Sequence, residues 1–504
     1  MLFCPYNTYT IYVYYNIAMA KQKSTIPQEL FALIPADEKG CSINYNKPRD
    51  VYYVYRWLGT TYDPKRKRGV DRRESVGAIK DGKFTFSKNY LAKKQLEALQ
   101  GKCFKPTPEE LEGKEHLDKT LESVDDPRVA GKVVYPLEAI LLVSVLSALA
   151  GGTSAVSIAL YWKRNRLQLQ ELIEGFPSAD ISHDTINRVF RLIEKDQVEA
   201  LVEKLTRPLV NKMIGRLIHA DGQAVRASRS PDKCTDRAFF NVYDSSNNLL
   251  ICHRQIETKE NEIPVSQEIL QTLDIEDAVI TVDALNTQKK FAKICLEGKA
   301  NYCFAIKENH RKLYDTLRAI FNEETVRKRC QDTDCAHGRI ENRTVEVMSA
   351  KLLGRGLRRQ WPGLETGSII AATTQSEDKR NAKTRKKPTR QETRYFISSI
   401  SPDKPDIAAT FARIIRSHWS IENNLHWTLD TSFMQDRIQT KNETYLSARV
   451  TLNKIAFNLL NQKKAQLQKS ESHRYSMDSL KQLCQNPADA LETLHTILGR
   501  AKLK

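Results

Sequence analysis

The sequence lacks paired cysteines and an acidic surplus. Its ten cysteines, at positions 4, 41, 103, 234, 252, 295, 303, 330, 335 and 484, follow no framework spacing in a chain of 504 residues. That excludes a disulfide scaffold and suits a reducing cytosol. Cys330, Cys335 and His337 are the tightest group, but their spacing matches no common zinc signature and no second ligand pair follows. Residues 1–18 are aromatic and apolar without a basic n-region, so no secretory signal is expected, and Met19 is the expected start of translation. Acid is scarce: 61 Asp and Glu face 79 Lys and Arg, a net charge of +18. That balance favours a polyanionic partner, nucleic acid ahead of a membrane surface. Long uncharged runs are lacking too, with one exception. Residues 139–162 carry no charge and reach the length of a membrane span, yet Pro136 opens the run and Gly151-Gly152 break it. Two short buried helices joined by a Gly-Gly turn are expected there, and no membrane association.

What the chain does contain falls into seven stretches. An N-terminal extension (1–24) precedes a small basic β module and linker (25–120) and a helical domain that either binds DNA or serves as structure (121–213). An α/β core follows in two parts (214–322 and 401–465), separated by a β-rich insertion with a basic loop (323–400), and a tail (466–504) ends the chain. Residues 50–87 alternate aromatic and β-branched residues with polar ones and turn at YDPKRKRG and KDGK, the pattern of an antiparallel meander. Lys65, Arg66, Lys67, Arg68, Arg72 and Arg73 gather at its tip and suit backbone phosphates. In SHDTINRVF, Ser182 or Asp184 caps a helix whose inner face is Ile186, Val189, Phe190 and Ile193. From 214 onward the order strand, hairpin, helix, strand, helix, strand predicts a mixed sheet. The stretch SEDKRNAKTRKKPTRQETR, with eight Lys or Arg, reads as a cationic loop able to grip phosphates.

Three carboxylates carry the chemistry of this reading. Asp221 and Asp283 each end an apolar strand run, in RLIHAD and AVITVD, where α/β enzymes keep their sites. Arg416–Asp430, RSHWSIENNLHWTLD, reads as one amphipathic helix with Trp419, Ile421, Leu425 and Leu429 on a broad apolar face. His418, Glu422 and His426 recur at i, i+4 and i+8 on another stripe. Residues 443–465 predict a further amphipathic helix. If Glu422 projects beside the two aspartates, like charges crowd together and need cations. Hard divalent ions with oxygen ligands resolve this, and two of them flank an in-line displacement at phosphorus. Glu262 is a candidate fourth carboxylate. Trp419 and Trp427 are candidates to stack on a base.

These residues resemble the DDE transposases of bacterial insertion sequences, in the branch that includes the H-repeat-associated proteins. The matching stretches are HADGQAVRAS, TVDALNTQ, NYCFAIKEN, HGRIENR and HWSIENNLHWTLDTSF, with KVVYPLEAILL and SHDTINRVF upstream, over about 120–465. The resemblance implies a ribonuclease H-like catalytic core with a β-rich insertion before the last acidic residue. It implies a metal-dependent triad of Asp221, Asp283 and Glu422 holding two Mg²⁺ ions, with Mn²⁺ as a substitute. It also implies double-stranded transposon-end and target DNA as partners, a homodimer on DNA, and a cytoplasmic, nucleoid-associated location. Arg226, Lys259, Lys307, Arg385, Lys386, Lys387, His418 and His426 are the expected DNA contacts. Two positions depart from the family pattern. Gln223 stands where relatives have a lysine, which predicts the loss of one cation near the phosphates. Leu429 and Asp430 occupy the region where wider relatives place a basic residue after the glutamate. The alternatives left open are a nuclease of the same core without strand transfer and a non-catalytic DNA-binding derivative.

Overall fold

A computed structural model describes residues 26–209 apart from 28, 36–37, 39, 64–67, 88–89, 91–107 and 130. It describes 216–470 apart from 229–236, 257–261, 324–326, 337–338 and 379–389, and then 475–499. Residues Met1–Lys105 and Pro106–Lys504 are two compact units. In the first, β1 (Ser42–Asn46), β2 (Val51–Asp63), β3 (Arg68–Lys80) and β4 (Lys83–Phe86) pair antiparallel in sequence order. The expected meander is present, with one more strand in front of it. Asp81 and Gly82 both take positive φ (50° and 70°), the conformation that an Asp-Gly hairpin turn demands. Ile43, Val54, Val76 and Ile79 close one face against Ile34 and Cys41. Lys65, Arg66 and Lys67 at the tip lie outside the described residues, as does Met19.

The second unit opens with helices α1 (Pro108–Glu122), α2 (Leu137–Leu149), α3 (Ala155–Leu172), α4 (His183–Leu192) and α5 (Lys195–Thr206). The uncharged run is two helices turned at Gly151 with φ 94°. α2 is buried along nearly its whole length, but α3 extends to Leu172 and leaves Val156 and Leu160 exposed, so only the first is the short buried helix expected. Among the described residues no helix is long and apolar enough to cross a membrane. Of the two cap candidates Ser182 is the N-cap of α4, its hydroxyl accepting from Thr185 N–H, and Ile186, Val189, Phe190 and Ile193 are buried as the period requires.

The chain then builds a nine-stranded mixed sheet. Its strands are β5 (Leu217–Val225), β6 (Arg237–Asp244), β7 (Leu249–Ile256), β8 (Val279–Val282), β9 (Asn301–Ile306), β10 (Lys328–Ala336), β11 (Arg339–Ser349), β12 (Ser368–Asp378) and β13 (Arg390–Ser398). Helices α6 (Glu262–Thr272), α7 (Lys289–Glu297) and α8 (Arg311–Glu323) alternate with the central strands. The order is β10-β11-β12-β13-β9-β8-β5-β6-β7. β5 runs antiparallel to β6, and β6 to β7, while β5, β8 and β9 are mutually parallel. β13 joins the edge of β9 antiparallel, so the late β-rich stretch extends the same sheet. One expectation is corrected here: Asp221 lies in the middle of β5, because pairing with β6 continues from Ile218 to Val225.

After the sheet come α9 (Ile407–Ser420), a π-helical segment (Ile421–His426) and α10 (Trp427–Thr431). Then follow α11 (Glu443–Ser470), α12 (Met477–Leu483) and α13 (Pro487–Gly499). The expectation of an amphipathic helix over 443–465 is also corrected. Every residue from 450 to 460 is buried. The helix is enclosed because α2, α4 and α5 cover it on one side and β7 on the other. A helix buried on all sides keeps no solvent face, and its polar residues Lys454 and Asn458 find partners inside the protein.

Candidate active site

Parallel pairing of β5 with β8 sets Ala220 opposite Val282, the last residue of β8, so Asp221 on β5 and Asp283 just past the end of β8 each follow that pair. Their backbones are therefore about 5 Å apart. Glu422 enters from the π-helical segment, where the backbone N–H of Trp427 reaches back five residues to the carbonyl of Glu422. Carboxylate oxygens of Asp221 and Glu422 and a ring nitrogen of His426 lie within 4.8 Å of one another. The segment thus brings the expected glutamate to the expected aspartate across more than two hundred positions of sequence.

Electrostatics at this point are unfavourable to three bare charges. Burial, then the charges of Asp283 and Glu422, push the Asp221 carboxyl up to about 8. Glu422 moves the other way, held low first by its hydrogen bond with His426. Asp221 therefore takes up the proton and Glu422 stays ionised. Asp283 is fixed by Asn286, which donates to its Oδ1 from the backbone N–H and from Nδ2, each at 2.9 Å. The same Asn286 Nδ2 lies 2.7 Å from Glu262 Oε1. Glu262 also abuts Gly222: a Cβ there would come within 3.3 Å of its Oε1. The candidate fourth carboxylate is thus beside the pair.

His418 Nδ1 is 2.8 Å from Thr281 Oγ1, which in turn is 2.6 Å from His219 Nδ1. His426 is 5% exposed and faces Glu422 and Asn241. Arg226 is exposed and 3.7 Å from Asp436. Lys307 is exposed immediately past β9. Lys259, Arg385, Lys386, Lys387 and His337 lie outside the described residues.

Two readings of side chains change. Gln223 is buried and donates from Nε2 to Asp430 Oδ1 at 2.9 Å, while its Oε1 accepts from Gln435 Nε2 at 3.0 Å. A residue at 223 faces Asp430 inside the protein, so the expected loss of a cation near the phosphates is not what this position decides. Ile421, Leu425 and Leu429 are fully buried, but Trp419 is 49% exposed. Two helical residues apart, Trp419 points about 200° away from Ile421. Its ring carries the Arg394 guanidinium at 5.1 Å, and Trp427 is exposed as well.

Trp419 borders a cleft of about 880 Å³ between the β10–β13 sheet edge and α9, lined also by Asp332, Arg343, Arg394, Arg416 and Asn423. Arg416 bridges Asp332 and Asp334 at 3.2 and 2.7 Å. The sequence offered no sign of this cleft, since its walls come from three separate stretches, 330–345, 372–394 and 412–424. Asn241 and Lys454, behind His426, were equally hidden. Asn241 sits in a strand that reads as plain hairpin, and Lys454 on a helix that reads as half solvated.

Comparison with known proteins places this geometry in context. Residues 119–206 match the DDE_Tnp_1-associated model and residues 215–459 the Transposase DDE domain model. The chain is 27% identical over 342 residues to "Putative transposase YncI" of Escherichia coli O157:H7, covering 67% of this chain and 85% of that one. It is 26% identical over 362 residues to "H repeat-associated putative transposase YhhI" of Escherichia coli K12, covering 68% and 90%. Among solved structures, a piggyBac transposase synaptic complex with hairpin DNA aligns with TM-score 0.36 and 14% identity over 78% of this chain and 79% of that one.

Proposed function

Since the chain belongs to the transposases with a DDE domain, we propose that it binds transposon ends in double-stranded DNA and transfers them to target DNA. In the first step a water oxygen bonds to phosphorus and the 3′ oxygen leaves as a hydroxyl. In the second, that 3′ hydroxyl oxygen bonds to a target phosphorus and displaces the target's own 3′ oxygen. The observation that carries this reading is the meeting of Asp221 and Glu422 next to Asp283 at the middle of the sheet. Strands β7-β6-β5-β8-β9, antiparallel on one side of β5 and parallel on the other, support a ribonuclease H-like core.

The donor set fits two Mg²⁺ ions, with Mn²⁺ as a substitute: carboxylate oxygens from Asp221, Asp283 and Glu422, the first pushed toward its protonated form by burial and then by the other two charges. When bound, such ions activate the attacking oxygen and stabilise the leaving one. The protein's own contribution is placement. Asn286 pins Asp283, and the π-helical segment aims Glu422. Arg226 and Lys307, exposed near the strand ends, are proposed phosphate contacts. A second copy on DNA would bring the second end.

The test uses a labelled duplex bearing the inverted repeat that flanks the gene, with Mg²⁺. Wild type is expected to nick it and join it to target, and Asp283→Ala to lose both by about 10³-fold or more. Equal nicking by Asp283→Ala would defeat the site. Nicking without joining would indicate a nuclease.

A further inference from the structure

Behind the carboxylates lies a chain of polar side chains with almost no access to solvent. His426 Nδ1 is 3.5 Å from Glu422 Oε2, and its Nε2 is 3.1 Å from Asn241 Nδ2. Asn241 Oδ1 is 2.7 Å from Lys454 Nζ. Lys454 Nζ is also 3.0 Å from His253 Nδ1 and 4.7 Å above the ring of Phe239, and His253 Nε2 is 3.2 Å from Thr451 Oγ1. Lys454, Asn241 and His253 are 0% exposed. Asn241 is also the residue directly opposite Asp221 in the β5–β6 ladder. Burying a lysine amine is costly unless its hydrogens are taken up, and here Asn241 Oδ1 and His253 Nδ1 face them with the Phe239 ring alongside.

The chemistry of each partner sets the next. Burial draws the Lys454 amine well below the ordinary lysine range, and charged or neutral it donates a hydrogen to Asn241 Oδ1 at 2.7 Å. The amide of Asn241 must therefore turn its oxygen to Lys454, which leaves its NH₂ facing His426. That NH₂ donates to Nε2, so Nε2 carries a lone pair and no hydrogen. The proton of the neutral ring is then on Nδ1, on the side of Glu422. We infer that buried Lys454, acting through Asn241, fixes His426 as the Nδ1–H tautomer and so makes it a hydrogen-bond donor that orients Glu422, not a nitrogen ligand for a cation. Lys454 and Asn241 are positioning residues for the site. His426, although within ligand distance of Asp221 and Glu422, has no free lone pair on that side. The tautomer stands on the hydrogen-bond pattern alone, while its consequence for a cation rests on the role proposed above for Asp221 and Glu422.

Full-length protein labelled with ¹⁵N-histidine and free of metal decides the tautomer, with the His426 signals identified by their loss in His426→Asn. The expected spectrum has a protonated Nδ1 and a bare Nε2. Asn241→Asp should reverse it, because a carboxylate can only accept and would draw the proton to Nε2 while still pairing with Lys454. With Mn²⁺ as the probe, pulsed electron paramagnetic resonance should detect no histidine nitrogen on the ion in wild type and should detect one in Asn241→Asp. Lys454→Met, similar in length and apolar, should weaken Mn²⁺ binding by about 10- to 100-fold, the range for residues that orient ligands. If that variant does not fold, Asn241→Asp carries the test. A protonated Nε2 in wild type, an unchanged tautomer in Asn241→Asp, or histidine nitrogen on Mn²⁺ in wild type would each overturn the inference. Absence of Mn²⁺ binding by wild type would instead overturn the metal role of the carboxylates, and the ¹⁵N spectrum would still decide the tautomer.

Discussion

At the scale of single residues, burial and the neighbouring carboxylates favour the protonated form of Asp221, which a cation bound as proposed would oppose. Its carboxyl rises from 3.8 to about 8 on folding. A raised carboxyl favours the neutral form in the folded state. The stability it contributes is therefore whole below pH 3.8 and is lost as pH climbs toward 8. In metal-free protein, Asp221→Asn should melt higher than wild type by a gap on the order of 2–4 °C at pH 9, shrinking at pH 5. Mg²⁺ should raise the wild-type melting temperature most at high pH and leave the variant nearly unmoved. Differential scanning calorimetry with and without chelator reads both.

Asp430 offers a second titration of the same sign. Burial, then the charge of Asp436, raises it from 3.8 to about 6, and its neighbour Gln223 supplies only a neutral hydrogen bond. Gln223→Lys would set a cation against it. The variant should gain about 1 kcal/mol at pH 8, where Asp430 is ionised, and nothing at pH 4, as urea titrations would show. DNA affinity should not change, since position 223 is buried.

Among elements, the π-helical segment decides the site. One extra residue per turn lets Ile421, Leu425 and Leu429 stay buried while Glu422 turns to Asp221. Deleting the exposed Asn423 would restore the ordinary turn and swing one flank by about 100°. Such a protein should keep its helical circular dichroism but lose Mn²⁺ binding and cleavage together. The sequence made the surrounding elements readable because they obey simple periods: the hairpin at 237–256, the capped α4, and the strands leading to Asp221 and Asp283. It also held His418, Glu422 and His426 in view as one stripe. It did not reveal the π-helical segment, because a change of hydrogen-bonding partner leaves no mark on residue type. Nor did it reveal that α11 is enclosed. A lysine at 454 and asparagines at 453, 458 and 461 read as a solvated face, when they are in fact the polar filling between α11 and its neighbours, as Asn458 bonding both N–H and C=O of Leu250 illustrates.

Over the whole molecule, charge is unevenly shared. Residues 1–105 contain 19 Lys and Arg against 9 Asp and Glu, more than half of the net +18 in a fifth of the chain. Lys80 and Lys83 face each other across the β3–β4 turn, both exposed. If this unit grips DNA phosphates, Lys80→Glu with Lys83→Glu should weaken duplex binding across all sequences. It should also lower the slope of log affinity against log salt by about 1.8, at roughly 0.9 per phosphate contact. Fluorescence anisotropy over a salt series measures it, and an unaltered slope would place the contacts elsewhere.

The closure of the second unit has a consequence in time. α1 packs on α13 so closely that a Cβ at Gly113 would collide with the carbonyl oxygen of His495. The core that buries Leu425 and Leu429 draws on α1, α11 and α13 together. During synthesis Asp221 and Asp283 leave the ribosome long before Glu422, and the helices that seat Glu422 come later still. A nascent chain, or one cut short by a premature stop codon before α11, therefore carries two aspartates and no assembled site. On the function proposed above, the three carboxylates can act together only after those last helices have docked.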